Sequence, residues 1–500
     1  MTFINKHERA IILALCALAM LRIFFFSAAF PFFNNVDEEF HLDVVIKYAK
    51  GYLPRKDSSY FDKESAEFMV LYDTLEYEED YGESNPPPPI WTIIKSPRLS
   101  KYVDEAKNYW VTTENHEAFS LPSYYAIAGM WYNLGKLLGL AGGHLLYWIR
   151  FLNIGIYGLL IWFSYIFCKE VYKDNISIRI GVPLLLTFFP QDSFYSINSD
   201  VLSPLFFLIS LYLLIQIYIN NRNRLFHFMA GIMVAATFLI KLSNLPLLII
   251  FSIFLLLWAA KLYAAGQFRD RLPNILILSV SFAIPVFFWF GWNAYALGDI
   301  TGSAEKIKLL GWTVKPFMEL WDHPIFTLRG SAYFISNLIE TFWRGEFIWG
   351  FKRIASERMD LFYVISSGIF IFASLIGPLI FKDYYTSSHR RHNYLNMSIL
   401  LLYVLFMAVL SISYDFGLYW YPSREYPYFT SGRLISGALI PFLILYVDGL
   451  CLIISKISKR INPLVIIAFI ALLITYSEIH ITYKVLGSPY NWFHMNSTPG

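Results

Sequence analysis

The stretch LPSYYAIAGMWYNLGKLLGLAGG, residues 121–143, is long and apolar enough to suggest a membrane span, and whether it crosses sets the sidedness of everything after it. Its composition argues against crossing: it holds Lys136, five glycines, polar Ser, Tyr and Asn positions, and a proline at its second residue. The rest of the chain gives an independent vote. Arg and Lys enrich cytoplasmic loops, and here they crowd into NKHER, KEVYKDNISIR, NNRNR, KLYAAGQFRDR, KDYYTSSHRRH and SKISKR. All six fall on one side only if 121–143 does not cross, so the segment reads as an interfacial or re-entrant helix.

Working outward, apolar stretches near 10–33, 145–168, 179–197, 201–219, 226–243, 245–262, 272–297, 361–381, 394–414, 433–455 and 462–483 each approach the roughly 20 residues a span needs. The chain is expected to be an all-α polytopic membrane protein with about 11 transmembrane helices, as a single domain over 1–500. Composition agrees, since 56% of its 500 residues are hydrophobic and only 15% charged, against about 25% charged in soluble domains. Tyr and Trp recur beside the ends of apolar runs, where amphipathic rings prefer the headgroup level. A net charge of +3, spread over short connections, excludes nucleic acid as a partner. Cys16, Cys168 and Cys451 each lie in or at the end of an apolar run, which excludes a disulfide framework.

With the N-terminus inside, three loops face outward: 34–144 with its interfacial helices, 298–360, and 414–433, beside the short connection PQDSFYSINSD. The first opens with VDEEFH, which puts Asp37, Glu38, Glu39 and His41 where the chain leaves the membrane. Residues 37–51 read as a helix along the outer leaflet, stopped by Gly51. Acids in a first turn are favoured by the helix dipole, so N-terminal capping and a solvated charge run explain them blandly. The alternative is that Asp37 points into a cavity, where a carboxylate can deprotonate a hydroxyl or hold a divalent cation such as Mg, Mn or Zn. Asp200, in NSDVL, reads as a helix N-cap or as a second metal-holding acid beside Asp37. The acidic run from Asp73 to Glu83 lacks EF-hand spacing and reads as a solvated loop, with the stiff NPPPP turn after it.

Cations at the outer boundary run against the positive-inside rule, so Arg150, Lys241 and Arg433 need a reason. Either they snorkel to headgroups or they bind a lipid-borne phosphate. Arg22, deep in the first span, is costly to bury and is expected to face the bundle interior. Glu478 and His480 read as structural.

The order of motifs resembles the GT-C class of integral-membrane glycosyltransferases, in a bacterial branch related to aminoarabinose transferase and protein O-mannosyltransferases. The likeness rests on VDEEFH (Asp37, Glu38, His41), HEAFSLPSYYAIAG (Glu117, Pro122, Tyr124, Tyr125), IRFLNIGIYGLL, FFPQDSFYSINSDVL, NAYALGDITG, ETFWRGEFIWG and SGRLISGALIPFL. The chain departs from the aminoarabinose relatives at 117–120, Glu-Ala-Phe-Ser where they carry Glu-Lys-Pro-Pro, so the lysine expected near the donor phosphate is absent there.

The resemblance implies a GT-C fold and an inverting hexosyl- or pentosyltransferase in the plasma (inner) membrane. The sugar would pass from a polyprenyl-phosphate carrier to a glycan, lipid or protein acceptor on the extracytoplasmic side. Asp37, with Glu38, would carry the chemistry, His41, Glu117 and Asp200 would line the pocket, and Lys241, Arg433 or Arg150 would bind the leaving phosphate. Two rivals keep the same composition: a lipid or glycan transporter or flippase, which calls for inverted hydropathy repeats, and a non-catalytic assembly subunit.

Overall fold

Eleven apolar stretches form helices, of unequal length. The computed structural model describes residues 2–34, 37–56, 59–73, 88–93, 97–220, 222–349, 352–381, 384–417 and 422–495, so most of the acidic run and of NPPPP lies outside the described residues. Among the described residues, nine helices are long and apolar enough to cross a membrane: Lys6–Ala29, Gly142–Val171, Ser199–Ile219, Leu242–Ala264, Phe268–Ala296, Glu357–Ile380, Ser387–Ser413, Gly432–Ile457 and Pro463–Leu486. We label the α-helical parts α1 (Thr2–Ala29), α2 (Glu38–Ala49), α3 (Lys63–Tyr72), α4 (Pro97–Val111), α5 (Pro122–Leu137), α6 (Gly142–Val171), α7 (Ile176–Thr187), α8 (Ser203–Ile219) and α9 (Arg224–Phe238). The second half comprises α10 (Leu245–Ala264), α11 (Phe268–Ala296), α12 (Ser303–Leu309), α13 (Leu328–Arg344), α14 (Glu357–Ile380), α15 (Ser387–Ser413), α16 (Leu439–Ile457) and α17 (Pro463–Leu486).

Two expected spans are short. Stretch 179–197 yields only the 12-residue α7, and 226–243 the 15-residue α9; at 1.5 Å per residue these cover about 18 and 22 Å of a hydrocarbon core roughly 30 Å thick. Pro190 follows closely after α7, and residues 189–202 are all buried as 3-10 turns and irregular chain leading into α8. Irregular backbone at membrane depth is tolerated only when protein satisfies its polar groups. Arg22 does so for the Phe189 carbonyl (3.1 Å), and Asn153 for those of Phe194 (3.1 Å) and Ser196 (2.8 Å). Arg22 faces the interior as expected, and its own charge is matched by Glu478 at 2.7 Å.

The centre of the bundle is α16, LIPFLILYVDGLCLIISKI, buried from Leu439 to Leu452 and packed against α7, α8, α14, α15 and α17. A Cβ at Gly449 would lie 1.8 Å from the Phe370 carbonyl oxygen, so only glycine allows α14 to approach this closely. The ends of the spans that carry the basic stretches are tied together, Arg179 to Glu8 (2.8 Å), Tyr172 to Asn393 (3.0 Å) and His389 to Asp448 (3.0 Å). The long loops gather at the opposite end.

Segment 121–143 gives the 16-residue α5, about 24 Å long, and it is not among the spanning helices. Tyr124, Tyr125, Ala128, Gly129 and Tyr132 are buried, and the backbone at Gly129 comes so near α2 that a Cβ would sit 2.9 Å from the Ala49 nitrogen. Its other face exposes Met130, Leu134 and Leu137. Trp131 and Trp148 stack, and each indole donates to the other's backbone carbonyl (2.7 and 2.9 Å), which locks α5 to α6. Helix α2 is buried from Leu42 to Lys47 against α3 and α5.

Candidate active site at the loop-rich end

Asp37 stands one residue before α2 in the left-handed region (φ 66°), a conformation that Asp tolerates better than most residues. Its side chain makes no capping bond to its own helix, so the bland reading of this acid does not describe it. The carboxylate reaches Arg433, 396 residues away in sequence, at 2.5 Å. Asp200 is not a cap either, since the Asn198 side chain accepts from the Asp200 amide. Its Oδ2 takes Lys241 at 2.8 Å and lies 3.8 Å from Arg433 Nε.

A line of alternating charge results. Lys241 meets Asp200, Asp200 meets Arg433, and Arg433 meets Asp37 and, at 3.9 Å, Glu346. Asp37 faces His116 at 3.5 Å, His116 lies 3.8 Å from Glu117, and Glu117 is held by Lys306 and by the Ser120 hydroxyl. Burial opposes ionisation of Asp37, but the Arg433 charge and His116 outweigh it and hold the carboxyl well below the usual range. Burial likewise opposes Glu117, and Lys306, then His41 and His116, hold it well below that range. Burial lowers the Lys241 ammonium against the pull of Asp200.

His41 is fully buried. Its Nδ1 is 2.7 Å from the Tyr125 hydroxyl, and its Nε2 has no partner among the described residues. Burial pushes its pKa down to about 4, so the ring is neutral at pH 7. Ligand atoms of Asp37, His41 and Glu117 all lie within 4.8 Å of one another. Two carboxylates and a neutral imidazole with an orphaned nitrogen suit a divalent cation. The set differs from the expected pair, because His41 and Glu117 join Asp37 while Asp200 is engaged by Lys241.

Glu38 and Arg150 are placed elsewhere. Both are buried, and Arg150 grips Glu38 bidentately at 2.7 and 2.6 Å while also donating to the carbonyls of Ser27 (3.2 Å), Pro31 (2.9 Å) and Phe30. Glu38 accepts further from the amides of Phe33 (3.1 Å) and Ile197 (2.9 Å). With the fork of Arg150 filled by protein, it has none to offer a phosphate, and Glu38 has no free oxygen to take a proton. The pair fastens the end of α1 to α6 and to the irregular connection.

Four members of the site escape a reading of the sequence: His116, Lys306, Glu346 and Ser431, whose hydroxyl donates to Glu346. Lys306 comes from α12, in the second long loop, and pairs with Glu117 from there. Glu346 lies in ETFWRGEFIWG, a stretch visible as a motif, but nothing in it announces a contact with residue 433. Asp192 stands behind it, accepting from the Glu346 amide at 2.7 Å.

In fold comparison the chain is similar to the archaeal oligosaccharyltransferase AglB from Archaeoglobus fulgidus, solved in complex with an inhibitory peptide and a dolichol-phosphate, at 12% identity and a TM-score of 0.40. The alignment covers 96% of this chain and 56% of that one. No curated protein matches the sequence. Residues 20–417 match the model of the family described as Predicted membrane protein (DUF2142), and this multi-pass membrane protein belongs to that family.

Proposed function

We propose that this chain transfers a sugar from a polyprenyl-phosphate carrier to an acceptor at the extracytoplasmic face of the plasma membrane, with inversion at the anomeric carbon. One observation carries the reading. Carboxylates and cations from residues 37, 117, 200, 241, 306 and 433, on separate segments, converge at one end of the bundle. A transporter needs no such gathering of acids and bases at one membrane boundary.

In the reaction the acceptor hydroxyl oxygen attacks the anomeric carbon, the bond to the carrier phosphate breaks, and the leaving group departs as polyprenyl phosphate. The transition state has oxocarbenium character. Asp37 takes the hydroxyl proton. A carboxylate of depressed pKa is a weak base towards a free alcohol, but the proton becomes strongly acidic as the new bond forms, so Asp37 acts late in the attack. Lys241, Arg433 and Lys306 supply the positive charge that the departing phosphate requires. Asp37, His41 and Glu117 would hold a divalent cation (Mg, Mn or Zn), which when bound adds electrophilic stabilisation of the leaving oxygen. The acceptor, whether glycan, lipid or protein, approaches from the aqueous side.

Lipid extracts of a deletion strain test the reading. A polyprenyl-phosphate sugar should accumulate and return to its normal level when the gene is restored. An unchanged pool of lipid-linked sugars would sink the donor assignment.

Cation binding is tested separately by titrating Mn²⁺ into purified protein. Glu117→Gln should weaken binding by at least about tenfold. Lys306→Met, which frees Glu117 from a competing charge, should strengthen it roughly 2- to 5-fold, the size expected of a partly exposed ion pair. Equal binding by wild type and Glu117→Gln would leave Glu117 as a partner of Lys306 alone.

A further inference from the structure

The second long loop carries an apolar surface that the site does not use. In TVKPFMELWDHPIFTL, residues 313–328, the side chains of Val314, Phe317, Met318, Trp321, Phe326 and Leu328 are between 54% and 89% exposed. Phe317–Asp322 is a 3-10 turn, in which side chains three apart eclipse. Met318 and Trp321 therefore share one edge and Glu319 and Asp322 the next. The acidic edge, with Lys315, His323, Asp415 and Arg424, lines a polar cavity of about 470 Å³. Trp321 contacts the rings of Phe317 and Phe326, with centroids 6.4 and 5.6 Å away. The segment is thus two-faced, with charge turned towards the cavity and aromatic surface turned away from it.

Its depth relative to the bundle is fixed by pairing. Strand β1 (Thr313–Val314) runs antiparallel to β2 (Tyr414–Asp415), Thr313 opposite Asp415, and the Lys315 amide donates to the Ser413 carbonyl at 2.9 Å. Ser413 is the last residue of α15, one of the spanning helices. The apolar surface accordingly begins where a span ends, and that span exposes Leu401, Leu405 and Val409, four residues apart on one side. The segment is also clamped to the third long loop, because His323 Nε2 donates to the Pro427 carbonyl at 2.7 Å, six residues before Arg433.

We propose that residues 314–328 seat in the bilayer at its loop-rich face, with Phe317, Met318 and Trp321 in the headgroup–acyl boundary. Tryptophan and large apolar side chains favour that depth, and charged side chains are held above it. The occupant is lipid because the surface is paired to the end of a spanning helix whose own exposed side is apolar. Through His323 and Pro427 the seat also holds the third long loop at the membrane surface. It stands independently of the proposed reaction.

Spin labels test it in the full-length protein reconstituted in phosphatidylcholine–phosphatidylglycerol nanodiscs. A nitroxide on Met318→Cys should collide with lipid-soluble oxygen and be shielded from a water-soluble nickel chelate, and one on Glu319→Cys should show the reverse. Wild-type protein, with its cysteines within the helices, gives the background. If the Met318→Cys label is as open to nickel as the Glu319→Cys label, the seat is overturned. Spin–spin broadening at Met318→Cys that vanishes on dilution with unlabelled protein would overturn it in favour of a second copy of the chain. A Trp321→Cys label, on the same edge, must repeat the Met318→Cys result.

Discussion

Asp37→Asn should insert and fold like the wild type and transfer sugar about 10²- to 10⁴-fold more slowly, the range that general-base catalysis contributes. The amide keeps the size of the side chain and can still accept from Arg433, so what it removes is the charge that Arg433 and His116 keep on Asp37. Glu39→Gln is the control. Burial, then the neighbouring charges of Asp37, Asp73 and Glu38, push the Glu39 carboxyl well above its ordinary value, so glutamine replaces a group that is already inclined to be neutral. A purified Asp37→Asn protein working at close to the wild-type rate would refute the mechanism. Equal losses from Glu39→Gln would move the base to its neighbour.

Arg150→Met should unfold or fail to accumulate where Asp37→Asn does not. Removing one partner of a buried ion pair leaves the other charge uncompensated, at a cost of about 3–5 kcal/mol. Here it also strips the carbonyls of Ser27, Phe30 and Pro31 of their donor. Glu38→Gln should fall between the two, because the amide still accepts from Arg150 but no longer matches its charge. Thermal unfolding in detergent, read beside donor binding, separates the roles. An Arg150→Met protein of wild-type thermal stability but weakened donor affinity would return Arg150 to the phosphate site.

Much of this was legible in one dimension, because burying apolar surface in a bilayer demands about 20 apolar residues per span and basic connections choose one side. The nine long helices and the gathering of Asp37, Asp200, Lys241 and Arg433 at one end of the bundle follow from those two rules. The shortness of α7 and α9 does not, since hydropathy is blind to whether an apolar stretch is helical or irregular. That is settled by Arg22 and Asn153, distant in sequence, which satisfy the carbonyls that α7 leaves behind.

Within the site, the sequence alone determined that acids stand at the exit of the first span and that cations stand at later helix ends, because such placements are costly without a purpose. Only the tertiary structure decided which charge meets which. Glu38 and Asp37 are adjacent, yet the left-handed turn at Asp37 sends one carboxylate to Arg433 and the other to Arg150. Lys306 joins Glu117 from 189 residues away. Charge pairs form between neighbours in space, and a chain folded into a bundle of spans makes neighbours of residues that no local pattern relates.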